Sequence, residues 1–104
     1  MLSLIKQLFG SKTDLGMLLK NGAVILDVRT KNEYDSGHIQ NSRHVPLDTI
    51  RDQLNHLKKL NKPIITVCRS GSRSAVAKSQ LQNAGIEAYN GGSWITFKNK
   101  YGIK

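Results

Sequence analysis

Pro63-Ile64-Ile65-Thr66-Val67-Cys68-Arg69-Ser70-Gly71-Ser72-Arg73-Ser74 is the stretch on which the fold of this chain turns. Its first half is β-branched and almost wholly apolar, the composition of a strand buried on both faces of a parallel sheet. Its second half is polar, with one glycine, and suits a tight turn into a helix. That helix is expected to run to about Ala84, with Ala77, Leu81 and Ala84 turned inward and Gly85 as terminator. A strand that feeds a helix directly is the building unit of parallel α/β sheets.

Upstream, the same alternation repeats. Thr13 to Lys20 reads as a helix with Leu15, Leu18 and Leu19 on one face, ended by Gly22. Val24-Ile25-Leu26-Asp27-Val28 reads as a second buried strand. Thr30 with Glu33 three residues on is a capping-box signature for a short helix ending at Gly37. His44-Val45-Pro46 is a brief extended segment that its proline closes. Asp48 or Thr49 is placed to cap a helix carrying Ile50, Leu54 and Leu57 on one face.

Downstream, Glu87-Ala88-Tyr89 reads as a short strand and Gly91-Gly92 as a turn. Ser93 is placed to cap a last helix bearing Trp94 and Phe97. The pattern predicts an α/β fold with a mostly parallel sheet and helices on both faces. Ligands of such sheets bind beyond the carboxyl ends of the strands, which is where Cys68 falls.

The totals narrow the function. With 104 residues, the expectation is one domain spanning 1–104. Hydrophobic residues make up 38% and charges are dispersed, as in a soluble globular chain. No apolar run approaches the roughly 18 residues of a membrane span, so no membrane partner is expected. Met1 to Phe9 reads as a short amphipathic helix bearing Leu4, Ile5, Leu8 and Phe9. Lys6 and the lack of a small-residue cleavage site argue against a secretory signal. The one cysteine suits a reducing compartment, and a cytoplasmic location is expected. Sixteen Lys and Arg against seven Asp and Glu give a net charge of +9, which favours anionic partners. The basic residues are scattered without an aromatic stripe, so a small anion is expected rather than nucleic acid. A monomer is the default expectation, and neither a metal nor a cofactor is called for.

Cys68 stands at the carboxyl end of the best strand, close to a helix N-terminus. Unpaired amide hydrogens and the helix dipole favour negative charge there. Gly71 permits a left-handed backbone, so successive N–H groups can curl into an anion-holding nest. Arg69 and Arg73 add two positive charges. Each effect favours thiolate over thiol, and the thiolate is the nucleophile. No histidine stands beside Cys68, and a thiol already ionised needs none. Such chemistry requires a sulfur that solvent reaches and that ionises near neutral pH.

Three separated motifs give these residues a family likeness. The first is Asp27-Val28-Arg29 with Glu33-Tyr34, Gly37-His38-Ile39 and Val45-Pro46-Leu47. The second is Cys68 to Ser74 with Ala75 and Ala77. The third is Tyr89-Asn90-Gly91-Gly92. In this order and spacing the chain resembles a single-domain rhodanese, a thiosulfate sulfurtransferase-like family, over roughly residues 13–98. The resemblance implies a five-stranded parallel sheet flanked by helices. It implies Cys68 as the residue that takes up a sulfane sulfur, from donors including thiosulfate, for acceptors including cyanide, thiols and partner proteins. The loop amides of Ser70, Gly71, Ser72 and Ser74 would cradle the persulfide. Arg69 and Arg73 match positions that contact the donor anion.

Asp27 and Arg29 match a motif near that loop. From their chemistry, Asp27 is expected to brace the loop as an acceptor and Arg29 to pair with Glu33. His38 reads as structural; His44 and His56 read as surface or packing residues. Trp94 follows Gly92 sooner than the family's usual aromatic, which leaves its packing open.

The expected function is therefore sulfur transfer through a Cys68 persulfide. A sulfur relay or binding module that docks a protein partner is the alternative. A cysteine phosphatase is a third. Those enzymes place arginine after five intervening residues, where this chain has Ser74.

Overall fold

Side-chain alternation along one strand decides the layering. In β3 (Ile64–Cys68) every residue is buried, and successive side chains point to opposite faces. Ile64 and Cys68 enter one apolar cluster, with Leu26, Ile50, Leu57, Ala77 and Leu81. Ile65 and Val67 enter another, with Ile39 and Phe97. A sheet with two cores needs helices on both sides.

The structure is a computed structural model that describes residues 13–104. The helix expected over Met1 to Phe9 lies outside them. In chain order the elements are α1 (Leu15–Lys20), β1 (Val24–Asp27), α2 (Lys31–Asp35), β2 (Arg43–His44), a 3-10 turn (Leu47–Thr49), α3 (Ile50–Lys59), β3, α4 (Ser72–Asn83), β4 (Ala88–Ser93) and α5 (Trp94–Tyr101). The strands lie in the order β2-β1-β3-β4, and every neighbouring pair is parallel. Residues of α3 and α4 line the first core and residues of α1 and α5 the second. Full burial of a side chain such as Leu26 or Ile65 contributes about 1.5–3 kcal/mol.

Several expectations need correcting. The sheet has four strands among the described residues, not the five implied by the resemblance. Helices and irregular links make up the rest of residues 13–104, with no fifth strand among them. Gly91-Gly92 is not a turn but part of β4. The register steps from Thr66 opposite Asn90 to Val67 opposite Gly92, so Gly91 is a bulge. A Cβ there would lie 2.9 Å from Ile65 Cγ2 and 3.0 Å from the Thr66 carbonyl oxygen. Neither Asp48 nor Thr49 caps α3 with its side chain. The 3-10 turn leads straight into that helix, and Thr49 Oγ1 donates back to the Pro46 carbonyl at 2.8 Å instead.

The other caps form as the sequence predicts. Thr30 and Glu33 make a reciprocal capping box at α2. Ser93 accepts from the Thr96 amide at α5. No described helix is long and apolar enough to cross a membrane.

Candidate functional site

Parallel strands bring the carboxyl ends of β1, β3 and β4 to one rim, and the motif residues gather there. Cys68 ends β3, and Gly71, at φ 101°, turns the chain into α4. That left-handed backbone is strained for any residue with a Cβ. It aims the first amides of α4 back at the sulfur. The Gly71 N–H donates to Cys68 Sγ at 2.9 Å and the Ser74 N–H at 3.3 Å. The Ser74 hydroxyl lies 3.2 Å from the sulfur. Burial pushes the thiol up, but the donors that can point at the sulfur outweigh it: the Ser74 hydroxyl when it turns to Sγ, and the Ser74, Gly71 and Ser70 amides. The pKa falls below the ordinary thiol value.

The sulfur is not open to solvent. Cys68 is 0% exposed, because the loop that supplies its amides folds over it. Arg69, Ser70 and Ser72 are exposed above, while Ser74 is wholly buried beside it.

The arginines are also placed differently from expectation. Arg73 does not bond the sulfur. Its guanidinium forks onto the Glu33 carboxylate, Nη1 to Oε1 at 2.7 Å and Nη2 to Oε2 at 2.9 Å. The Arg73 guanidinium and the Thr30 amide pull Glu33 down to about 2. The hydrogen bond to Glu33 raises Arg73 in turn, with a smaller attraction to Cys68.

Arg29 pairs with Asp27 and not with the Glu33 carboxylate. Its Nη2 lies 2.7 Å from Asp27 Oδ2 and its Nε 2.9 Å from Oδ1. Asp27 is fully buried, so its charge needs a full counter-charge at hand, and Arg29 is two residues away. Asp27 thus braces Arg29 rather than the loop. Arg29 reaches Glu33 only at its backbone carbonyl, 3.3 Å away, and donates to the Gly37 carbonyl at 2.7 Å.

Two site residues escaped the sequence reading. Asn90, the residue before the glycine pair, has Oδ1 2.7 Å from the Ser74 hydroxyl and accepts the Gly92 N–H at 2.9 Å. Its Nδ2 donates to the Gly71 carbonyl at 3.1 Å. It ties β4 to both ends of the loop's turn. The signal was present in its position at a strand's carboxyl end, within a quoted motif. Trp94 is the second. It stacks on Arg29, 4.5 Å from ring centroid to Cζ, and joins Arg29, Glu33, Gly37, Arg69 and Ile95 around a hollow of about 270 Å³.

His38 and His44 sandwich the Tyr34 ring, with centroids 3.7 and 4.3 Å away. His44 Nε2 also meets the Arg29 carbonyl at 2.8 Å. Both are packing residues. A wider hollow of about 610 Å³, between α1 and the end of α5, shares no residue with the loop.

A parallel α/β layer that holds a lone thiol under the amides of a strand-to-helix loop defines a thiol-loop domain, built to stabilise charge on sulfur. The chain belongs to the rhodanese-like domain family, whose model matches residues 11–94. It is 34% identical over 100 residues to a tRNA uridine(34) hydroxylase of Buchnera aphidicola, covering 90% of this chain and 28% of that protein. It is 35% identical over 74 residues to the thiosulfate sulfurtransferase GlpE of Ectopseudomonas mendocina, covering 70% and 67%. A crystal structure of a rhodanese-like domain protein from Staphylococcus aureus superposes with a TM-score of 0.63 at 34% identity, over 97% of this chain and 86% of that one. Other relatives are longer. The chain spans 54% of Bacillus subtilis YqhL and 16% of a tRNA sulfurtransferase of Thermoplasma acidophilum.

Proposed function

We propose that this domain is a sulfurtransferase in which Cys68 takes a sulfane sulfur from thiosulfate or a similar small anionic donor. As a persulfide it passes that sulfur to cyanide, a thiol or a protein acceptor. The observation that carries the proposal is the convergence of loop amides on Sγ, those of Gly71 and Ser74 at 2.9 and 3.3 Å. Such donors stabilise the thiolate before reaction and can stabilise the persulfide anion after it. Membership of a family that includes a named thiosulfate sulfurtransferase supports the same chemistry.

The cycle has two steps. The Cys68 thiolate attacks the outer sulfur of thiosulfate; an Sγ–S bond forms, the donor's S–S bond breaks, and its electron pair leaves with sulfite. A nucleophile then attacks the outer persulfide sulfur and regenerates the thiolate. This is ping-pong covalent catalysis. Arg69 is exposed and faces the hollow beside the loop, so it is the guanidinium assigned to the anionic donor. Arg73 serves by holding the loop through Glu33. Because the sulfur is covered, residues 69–72 must lift for the donor to reach it.

Intact mass after thiosulfate exposure tests the proposal. The expected result is a gain of one sulfur atom, removed by cyanide, and no gain in Cys68→Ser. Sulfite release by Cys68→Ser would remove this cysteine from the scheme.

The buried thiol favours a second reading, a relay that accepts sulfur only from a docked protein. Exposed Val76 and Ile95 stand on the rims of hollows that flank the loop and offer apolar contacts for such a partner. The relay predicts slow persulfide formation with thiosulfate and rapid formation with a protein donor. Phosphatase chemistry is disfavoured, because Ser74 rather than arginine stands at the corresponding loop position.

A further inference from the structure

The hydrogen bonds around Ser74 contain a conflict. A serine hydroxyl has one proton to give. Ser74 Oγ lies 2.7 Å from Asn90 Oδ1 and 3.2 Å from Cys68 Sγ. Both neighbours can accept, and Ser74 is fully buried, so water does not relieve the competition.

The orientation of the Asn90 amide is fixed by its backbone partners. Oδ1 meets the Gly92 N–H, which can only donate, and Nδ2 meets the Gly71 carbonyl, which can only accept. A flipped amide would set donor against donor and acceptor against acceptor. The atom facing Ser74 is therefore an oxygen. Two oxygens 2.7 Å apart share a proton, and Asn90 Oδ1 has none to supply. The Ser74 proton lies on that line, which leaves only a lone pair of Oγ for the sulfur. A neutral Cys68 can donate its S–H to that lone pair; a thiolate cannot. Ionisation is eased when the hydroxyl turns from Asn90 to donate to the sulfur.

We infer that Asn90 is a positioning residue for Cys68: its side-chain carbonyl competes with the sulfur for the single Ser74 proton and so sets how readily the thiol ionises. The loop amides favour thiolate, and Asn90 opposes them. The result is a sulfur held neutral longer than its amides alone would allow. When the hydroxyl turns, Asn90 keeps the Gly92 amide, so the switch costs one hydrogen bond and no backbone movement. Its consequence for sulfur transfer rests on the reading of Cys68 given above.

Among the described residues no charged side chain bonds the Ser74 hydroxyl, although Arg73 adds an attraction to Cys68. Arg69 in the loop is exposed, and Arg73 on α4 is bound to Glu33 of α2. Arg29 and Asp27, at the end of β1, bind each other. Lys98 on α5 lies over the Trp94 ring. β4 carries no charged side chain; its Tyr89 hydroxyl donates to Glu87 and is pushed up to about 12 by burial and that carboxylate.

With a single cysteine in the chain, the ultraviolet absorbance of thiolate against pH reads Cys68 once the tyrosine background is subtracted with a Cys68→Ser blank, and it needs no reagent to reach the sulfur. Asn90→Ala should raise the thiolate-to-thiol ratio about three- to tenfold at any pH below the midpoint. Asn90→Leu, which keeps the bulk, should do the same and guards against a loss of fold in the smaller variant. In a Ser74→Ala background neither change should move the titration, because no shared proton remains. A flat response to both Asn90 variants, or an equal shift with and without Ser74, would overturn the inference; the latter is what simple loosening of the loop produces. Intact mass of the parent protein after thiosulfate is run alongside. A missing sulfur gain there refutes the sulfurtransferase reading, while the titration cycle independently decides this one.

Discussion

β1 and β3 lie side by side, with Asp27 opposite Val67, and both end at the same rim with a buried polar side chain. They meet that problem in opposite ways. At the end of β1, Asp27 carries a full charge and receives a full counter-charge from Arg29, itself only 4% exposed. At the end of β3, Cys68 receives backbone amides and has the Ser74 hydroxyl beside it, all neutral. A charge matched by a charge is held in its pair and makes a strut. A group matched by neutral donors can change state in place, which the sulfur transfer proposed above would require.

The contrast predicts a graded set of effects. The largest should come from the strut. Arg29→Ala leaves Asp27 buried and unpaired, and should cost about 3–5 kcal/mol in a denaturant titration. A loss below about 1 kcal/mol would mean that Asp27 is not a charged strut. Gly91→Ala comes next. Its Cβ would crowd Ile65 and Val67 side chains and the Thr66 carbonyl, at about 1–3 kcal/mol. It should also disturb Asn90 and the loop without touching Arg29. Unchanged stability would show that the bulge tolerates a side chain.

Glu33→Gln should have the smallest effect, about 0.5–1 kcal/mol, because the Arg73 pair is partly exposed. Its pH signature is specific. Glu33 is lowered from 4.5 to about 2 in the fold, so the unfolded chain binds the proton more readily. The stabilisation is full above about 4.5 and disappears as pH falls through about 2. Acid unfolding of Glu33→Gln should lack that component. An identical acid profile would mean that Arg73 does not hold this carboxylate.

The elements were legible wherever the signal was local. The apolar run before Cys68 marks a central strand because both of its faces meet helices. Thr30 and Glu33 reveal their capping box because both partners lie within one turn. Partner choice across the rim was not legible. Arg29 lies closer in sequence to Glu33 than Arg73 does, yet Glu33 takes Arg73 from 40 residues away, since burial of Asp27 commits Arg29 first. The role of Asn90 depends on Ser74, 16 residues earlier, and on a bulge that sequence alone presents as a turn. The covering of the sulfur follows from how tightly the loop closes on its own amides, a distance that composition does not encode.

Trp94 is the only tryptophan in the chain, and it walls the hollow beside Arg69 while stacked on Arg29. Indole emission responds to nearby cations and to solvent access. The molecule thus carries an intrinsic optical reporter beside its cysteine loop, able to report without a label on any anion that enters that hollow.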